Sequence, residues 1–197
     1  MSGPASPPHA GRPALILVDI QQGLAAELGD RNHPEAEQRA AALLEAWRRA
    51  GAPVVHVQHL SVHPHSRLRP DQPGVALHPA VRPLPDEPLF RKSVASAFAG
   101  TALETHLRAL GVDRVVVAGL TTEHCVSSTA RAASDLGLAV TVVADATACF
   151  GRTSFDGRYY AADEIHRLAL VALHEEFAAI RSTAEVLAEL VGAAPGA

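Results

Sequence analysis

A chain of 197 residues, 48% hydrophobic and 19% charged, is long enough to bury one sizeable core and too apolar to stay unfolded, so one domain is expected. A formal charge of -4 with no Lys/Arg run denies it the basic field that holds a phosphate backbone, which excludes nucleic acid as a partner. The opening MSGPASPPHAGRP lacks the basic start and apolar centre of a secretory signal, and no apolar stretch reaches the ~20 residues a spanning helix needs; a cytoplasmic protein without a membrane partner is expected.

In chain order, a Pro/Ser/Gly tail over 1–12, read as disordered, gives way to ALILVDI (14–20), a continuous apolar run ending at Asp19 that reads as a strand buried on both faces. Residues 33–51 follow as a helix, with Ala40, Leu43, Leu44 and Trp47 on one stripe, acidic residues early, Arg48 and Arg49 late, and Gly51 as terminator. The β-branched run 52–60 completes a strand–helix–strand unit of the right-handed crossover type. Segment 61–91, rich in Pro, His and Arg, has no sustained period and reads as a substrate loop or lid, with PLF at 88–90 a short extended run. The alternation then resumes: helix 101–112, strand 113–120, helix 123–137, strand 138–146, helix 159–177, strand 178–182 and a last helix 183–190 with Thr183 near its cap. The pattern predicts a domain over 13–192, with 193–197 as a C-terminal tail. Its fold class is α/β: a three-layer α/β/α sandwich on a mostly parallel, Rossmann-like six-stranded sheet.

In open parallel sheets the reactive crevice lies beyond the carboxyl ends of the strands. Three polar residues fall there: Asp19 closes the first strand, Lys92 follows the short run before it, and Cys125 opens the helix after VVVAGL. Two cysteines are too few for a disulfide framework, so Cys125 and Cys149 are each read as thiols. A helix N-terminus presents free N–H groups and a positive dipole end, which predicts a lowered pKa for Cys125. A carboxylate suits the acceptor of its proton, and an ammonium holds the charges in register. Cys149, after the next strand, reads as core.

Three segments, LILVDIQQG (15–23), RKSVASAF (91–98) and VAGLTTEHCVSSTARAA (117–133), give the chain, from about residue 13 to about 190, a resemblance to the isochorismatase-like cysteine hydrolases, the superfamily that also contains nicotinamidase and N-carbamoylsarcosine amidase. The resemblance implies Cys125 as nucleophile, Asp19 as the base that takes its proton and later protonates the leaving nitrogen, and Lys92 as the cation bridging them. It also implies a non-proline cis peptide at Leu120-Thr121, aiming the N–H groups of Thr121 and Cys125 at a developing oxyanion. The implied activity is hydrolysis of a small amide or ureido C–N bond through a thioester, in a homodimer or homotetramer. Phe98 resembles an aromatic wall of the pocket, and Gln22 and His124 flank base and nucleophile, so all three are taken as substrate-binding. Arg67, Arg69 and Arg91 are candidates for a substrate carboxylate, and 159–177 for an interface helix.

Vinyl-ether-cleaving isochorismatases of this fold generally lack the cysteine, so its presence points to the amidase branch. Nicotinamidases carry a metal through Asp-x-His after the second strand, but this chain reads HVQHLSVHPH there, with Gln58 where a carboxylate is expected. His56, His59, His63 and His65 stand at ligand-like spacing, yet without that carboxylate no metal and no cofactor are assigned. The competing classes are an isochorismatase-type vinyl-ether hydrolase, a metal-assisted nicotinamidase-like hydrolase and a redox-active thiol protein without hydrolase activity.

Overall fold

The computed structural model describes residues 11–25 and 29–192. The tail expected over 1–12 lies outside the described residues up to residue 10, as do residues 193–197. The elements in order are β1 (Ala14–Val18), α1 (Ala36–Ala50), β2 (Val54–His59), β3 (Leu89–Lys92), α2 (Leu103–Ala109), β4 (Arg114–Leu120), a π-helical turn (Thr122–Val126) running into α3 (Ser127–Asp135), β5 (Ala139–Ala148), β6 (Arg152–Thr153), β7 (Tyr159–Tyr160), α4 (Ala162–Val171), β8 (Ala179–Arg181) and α5 (Thr183–Gly192). Six strands form one sheet in the order β3-β2-β1-β4-β5-β8 with every pairing parallel.

Alternation along β1 divides the core. Ala14, Ile16 and Val18 face a cluster with Leu103, Leu107, Val126, Ala130 and Ala133, whereas Leu15 and Leu17 face Leu43, Leu44, Trp47 and Val186. Helices α2 and α3 therefore cover one face, and α1 and α5 the other. This is the physical reason ALILV is continuously apolar: both pleat faces are covered. Gly51 ends α1 in the left-handed region, its N–H returning to the Trp47 and Arg48 carbonyls.

One expectation is corrected. The run 159–177 is not one helix, because Tyr159–Tyr160 pairs antiparallel with Arg152–Thr153 around a turn at Gly157, and α4 stops at Val171 before a left-handed Glu175. Segment 61–91 is aperiodic but docked: Leu68 and Val81 are buried, the His78 amide donates to Ile20 and the Gln22 amide to Ala76. Among the described residues no helix is long and apolar enough to cross a membrane.

Candidate active site

The parallel order brings the carboxyl ends of β1, β3 and β4 to one edge, with β1 between β2 and β4. At the end of β1 the chain turns through Asp19, whose φ of 50° breaks the strand while its amide still bonds Val57. The Asp19 carboxylate is fully buried. Lys92, at the end of β3 in register with His59, reaches across β2 so that its Nζ lies 2.5 Å from Asp19 Oδ2. The same ammonium donates to the Val94 carbonyl at 3.1 Å and lies 3.3 Å from His59 Nδ1.

Cys125 enters from β4. Gly119 makes this possible: its φ of 134° and its approach to Val18 are such that a Cβ would be driven into the Val18 carbonyl. The Leu120-Thr121 peptide is cis, and the Thr121 carbonyl accepts from the His124 amide at 3.1 Å and the Val126 amide at 3.2 Å. Among the described residues the Cys125 amide, between those two, is not a donor to that carbonyl. Beneath the turn the Thr122 hydroxyl lies 2.9 Å from His166 Nδ1.

The half-buried Cys125 sulfur, a carboxylate oxygen of Asp19 and a ring nitrogen of His59 lie within 4.8 Å of one another. Asp19 Oδ1, which Lys92 does not take, is buried without a closed hydrogen bond, while the thiol is near enough to act on the carboxyl's acidity. Sulfur, acid and ammonium, remote in sequence, thus surround one point.

The electrostatics differ from the helix-start expectation. Burial, followed by the Asp19 charge, pushes the Cys125 thiol up to about 12, although Lys92 works the other way. Burial also raises Asp19, against the pull of Lys92. Two acids share one ammonium, so the first negative charge is compensated and the second is not. The helix terminus does not outweigh this, and Cys125 rests as a thiol.

The other expected residues divide. Phe98 is half-buried on the same core cluster that Cys125 edges. Gln22 is exposed, its amide 3.4 Å from the Leu77 carbonyl; the buried neighbour Gln21 instead clasps β2, accepting from the His59 amide at 2.9 Å and donating to the His59 carbonyl at 3.1 Å. His124 is exposed and turned to Arg152, 3.2 Å away, whose guanidinium also bonds Glu123. The contacts of Gln22 and His124 thus lead away from the Asp19 cluster. Arg69 is committed to Asp71, and Arg91 bonds Gln58 at the rim of a cavity of about 400 Å³ lined by Leu60, Lys92, Val94 and Gly100. A larger groove of about 530 Å³ along α4, with His33, His166 and Leu170, contains none of the three. Cys149 is buried, its thiol donating to the Ala162 carbonyl, as a core residue would.

The histidine-rich segment does not assemble a metal set of the nicotinamidase kind. His56 is committed to Glu87, 2.8 Å away, which Arg48 also holds; the His63 and His65 rings face each other, 5.9 Å between centroids. Only His59 of the four reaches the centre, where the Lys92 ammonium already neutralises Asp19. Asp19, His59 and Cys125 are donor types that bind zinc, but the Lys92 ammonium on Asp19 Oδ2 and beside His59 Nδ1 occupies two of those donors. The sequence marked His59 only as one of four histidines at ligand-like spacing, and Gln21 carried no signal beyond its place next to a strand end.

The isochorismatase domain profile matches residues 13–185. The isochorismatase family protein YrdC of Bacillus subtilis is 40% identical over 179 residues, covering 90% of this chain and 96% of that protein. A maleamate amidohydrolase of Pseudomonas putida is 34% identical over 149 residues, covering 67% and 70%. The crystal structure of an isochorismatase-family protein from Chromobacterium violaceum superposes with a TM-score of 0.87 at 43% identity, covering 96% of this chain and 99% of that one.

Proposed function

The chain belongs to the isochorismatase family of hydrolases, and on that premise we propose that it cleaves the C–N bond of a small amide or ureido compound through a thioester on Cys125. The observation that carries the reading is the gathering of the Cys125 sulfur at a buried carboxylate whose other oxygen is neutralised by a buried ammonium.

Asp19 takes the thiol proton as sulfur attacks the carbonyl carbon, and the carbonyl oxygen gains the negative charge. The Thr121 and Cys125 amides are the donors assigned to that oxygen. Collapse of the intermediate breaks C–N, the nitrogen leaving as ammonia or an amine with the proton from Asp19. Water then attacks the thioester, Asp19 accepts its proton, and C–S cleavage releases a carboxylic or carbamic acid and restores the thiol. Lys92 holds Asp19 in place and offsets its charge when ionised. A thiol at rest is consistent with this sequence, since the proton removed from sulfur is the one the leaving group needs. The amidohydrolase among the relatives supports the bond type.

The test is intact-mass spectrometry of the enzyme mixed with primary amides and ureido acids. An acyl adduct on Cys125 is expected, absent from Cys125→Ala. Undiminished turnover by Cys125→Ala would end the reading.

A further inference from the structure

We propose that His59 is a positioning residue of this centre: a neutral imidazole carrying its proton on Nε2, which completes the acceptor set of the Lys92 ammonium and so holds that ammonium on Asp19. The inference rests on the proposed reaction only for its effect on turnover; the protonation state it assigns stands apart from any substrate.

An ammonium has three N–H donors and no acceptor, and a buried donor left without a partner is costly. The Lys92 side chain has no solvent exposure, so water supplies nothing. Three acceptors surround Nζ: Asp19 Oδ2 at 2.5 Å, the Val94 carbonyl at 3.1 Å and His59 Nδ1 at 3.3 Å. Each of the three donors thus has an oxygen or nitrogen acceptor, and the Cys125 sulfur also lies near enough to this ammonium to feel it. Nδ1 accepts only when it carries no proton, which fixes the tautomer with hydrogen on Nε2 and excludes the cation.

The His59 backbone is held there from two sides. His59 stands opposite Lys92 in the β2–β3 register, and the Gln21 side chain clamps both the amide and the carbonyl of His59, donating also to the Val75 carbonyl at 2.7 Å. The charged or titratable groups facing the ring are Lys92 from β3, Asp19 from the end of β1 and Cys125 from the π-helical turn. Burial and then the Lys92 charge lower the His59 pKa, and Asp19 and then a hydrogen bond to the Val94 backbone oppose them. His56, on the same strand, is turned to Glu87.

Protonating His59 removes one of the three acceptors and sets a second cation against Lys92. The ammonium then loses its fixed place on Asp19, and the proton acceptor for Cys125 loses its orientation. An acid limb in turnover follows.

Long-range proton–nitrogen NMR of the full-length protein with ¹⁵N-labelled histidine tests the assignment without substrate. One imidazole, missing from the spectrum of His59→Asn, is expected to show a bare Nδ1 and a protonated Nε2 and to titrate below 6.5, moving upward in Lys92→Met. A proton on Nδ1, or titration at or above 6.5, overturns the proposal, whatever becomes of the amidase reading. With an amide from the adduct screen, His59→Leu is expected to lower kcat by about tenfold to a hundredfold, the range for a lost hydrogen bond to a charged group, with KM little changed. His59→Asn, whose Oδ1 takes the place of Nδ1, recovers most of that loss without the acid limb. Wild-type kcat in a folded His59→Leu protein would also overturn it, while an amide screen without any adduct removes the amidase reading and leaves the NMR result standing.

Discussion

Replacing Lys92 by methionine keeps the volume and removes the charge, so it isolates what the ammonium does for Asp19. Both side chains of the pair are essentially without solvent exposure. A buried carboxylate stripped of its partner costs about 3–5 kcal/mol if it stays ionised. It escapes that cost by binding a proton, at about 1.4 kcal/mol per pH unit above its unfolded value near 4. At pH 5 the escape costs about 1.4 kcal/mol, and near pH 7 about 4 kcal/mol, where it meets the ceiling for the bare charge.

The sign follows from Asp19 itself. Its folded pKa is raised, so its contribution to stability is full below the unfolded value and is lost as pH rises through the folded value. Removing Lys92 moves the folded value further up and widens that window. Urea denaturation of the variant and wild type at pH 5 and pH 7.5 is expected to show a gap that grows with pH by roughly 2–3 kcal/mol, less whatever the wild-type Asp19 itself loses over that range. Asp19→Asn in the same chain removes the stranded carboxylate and is expected to restore most of the difference. Turnover of Lys92→Met is expected to fall by roughly 10²–10⁴, the usual yield of a positioned base, because a protonated Asp19 accepts no proton. A gap independent of pH, or turnover within a few fold of wild type, would refute the coupling of ammonium to base.

Cys125 with its pKa pushed up to about 12 holds roughly a thousandth of the thiolate of an ordinary cysteine at neutral pH; iodoacetamide without substrate is therefore expected to alkylate it far more slowly than free cysteine, and faster labelling than free cysteine would restore the helix-start expectation. Gly119→Ala puts a methyl against the Val18 carbonyl at a positive φ; a stability loss on the order of 2 kcal/mol or more by denaturation is expected, together with lower turnover because Val18 leads into Asp19, and an unchanged protein on both measures would show that the two strands separate freely there.

How far the sequence was legible depended on the range of the cause. Continuous burial of Ala14–Val18 and the stripe on α1 are local consequences of strand and helix periods, and both are found where the pattern placed them. The run 159–177 misled for the same reason: its apolar spacing suits a helix, and only pairing with Arg152–Thr153 turns the two tyrosines into a strand. Gln21 and Gln22 are indistinguishable in the chain, and the register of β2 decides that the first is buried and the second is not.

The amino-acid sequence by itself determined the layered α/β architecture and the places where an acid, an ammonium and a sulfur leave their strands, since these depend on residue period and on neighbours a few positions apart. Only the tertiary structure decided that the thiol keeps its proton and that His59 joins the centre. Proton affinity and third-party contacts depend on burial and on charges brought together across 73 positions between Asp19 and Lys92, a proximity that exists only once the parallel sheet has formed.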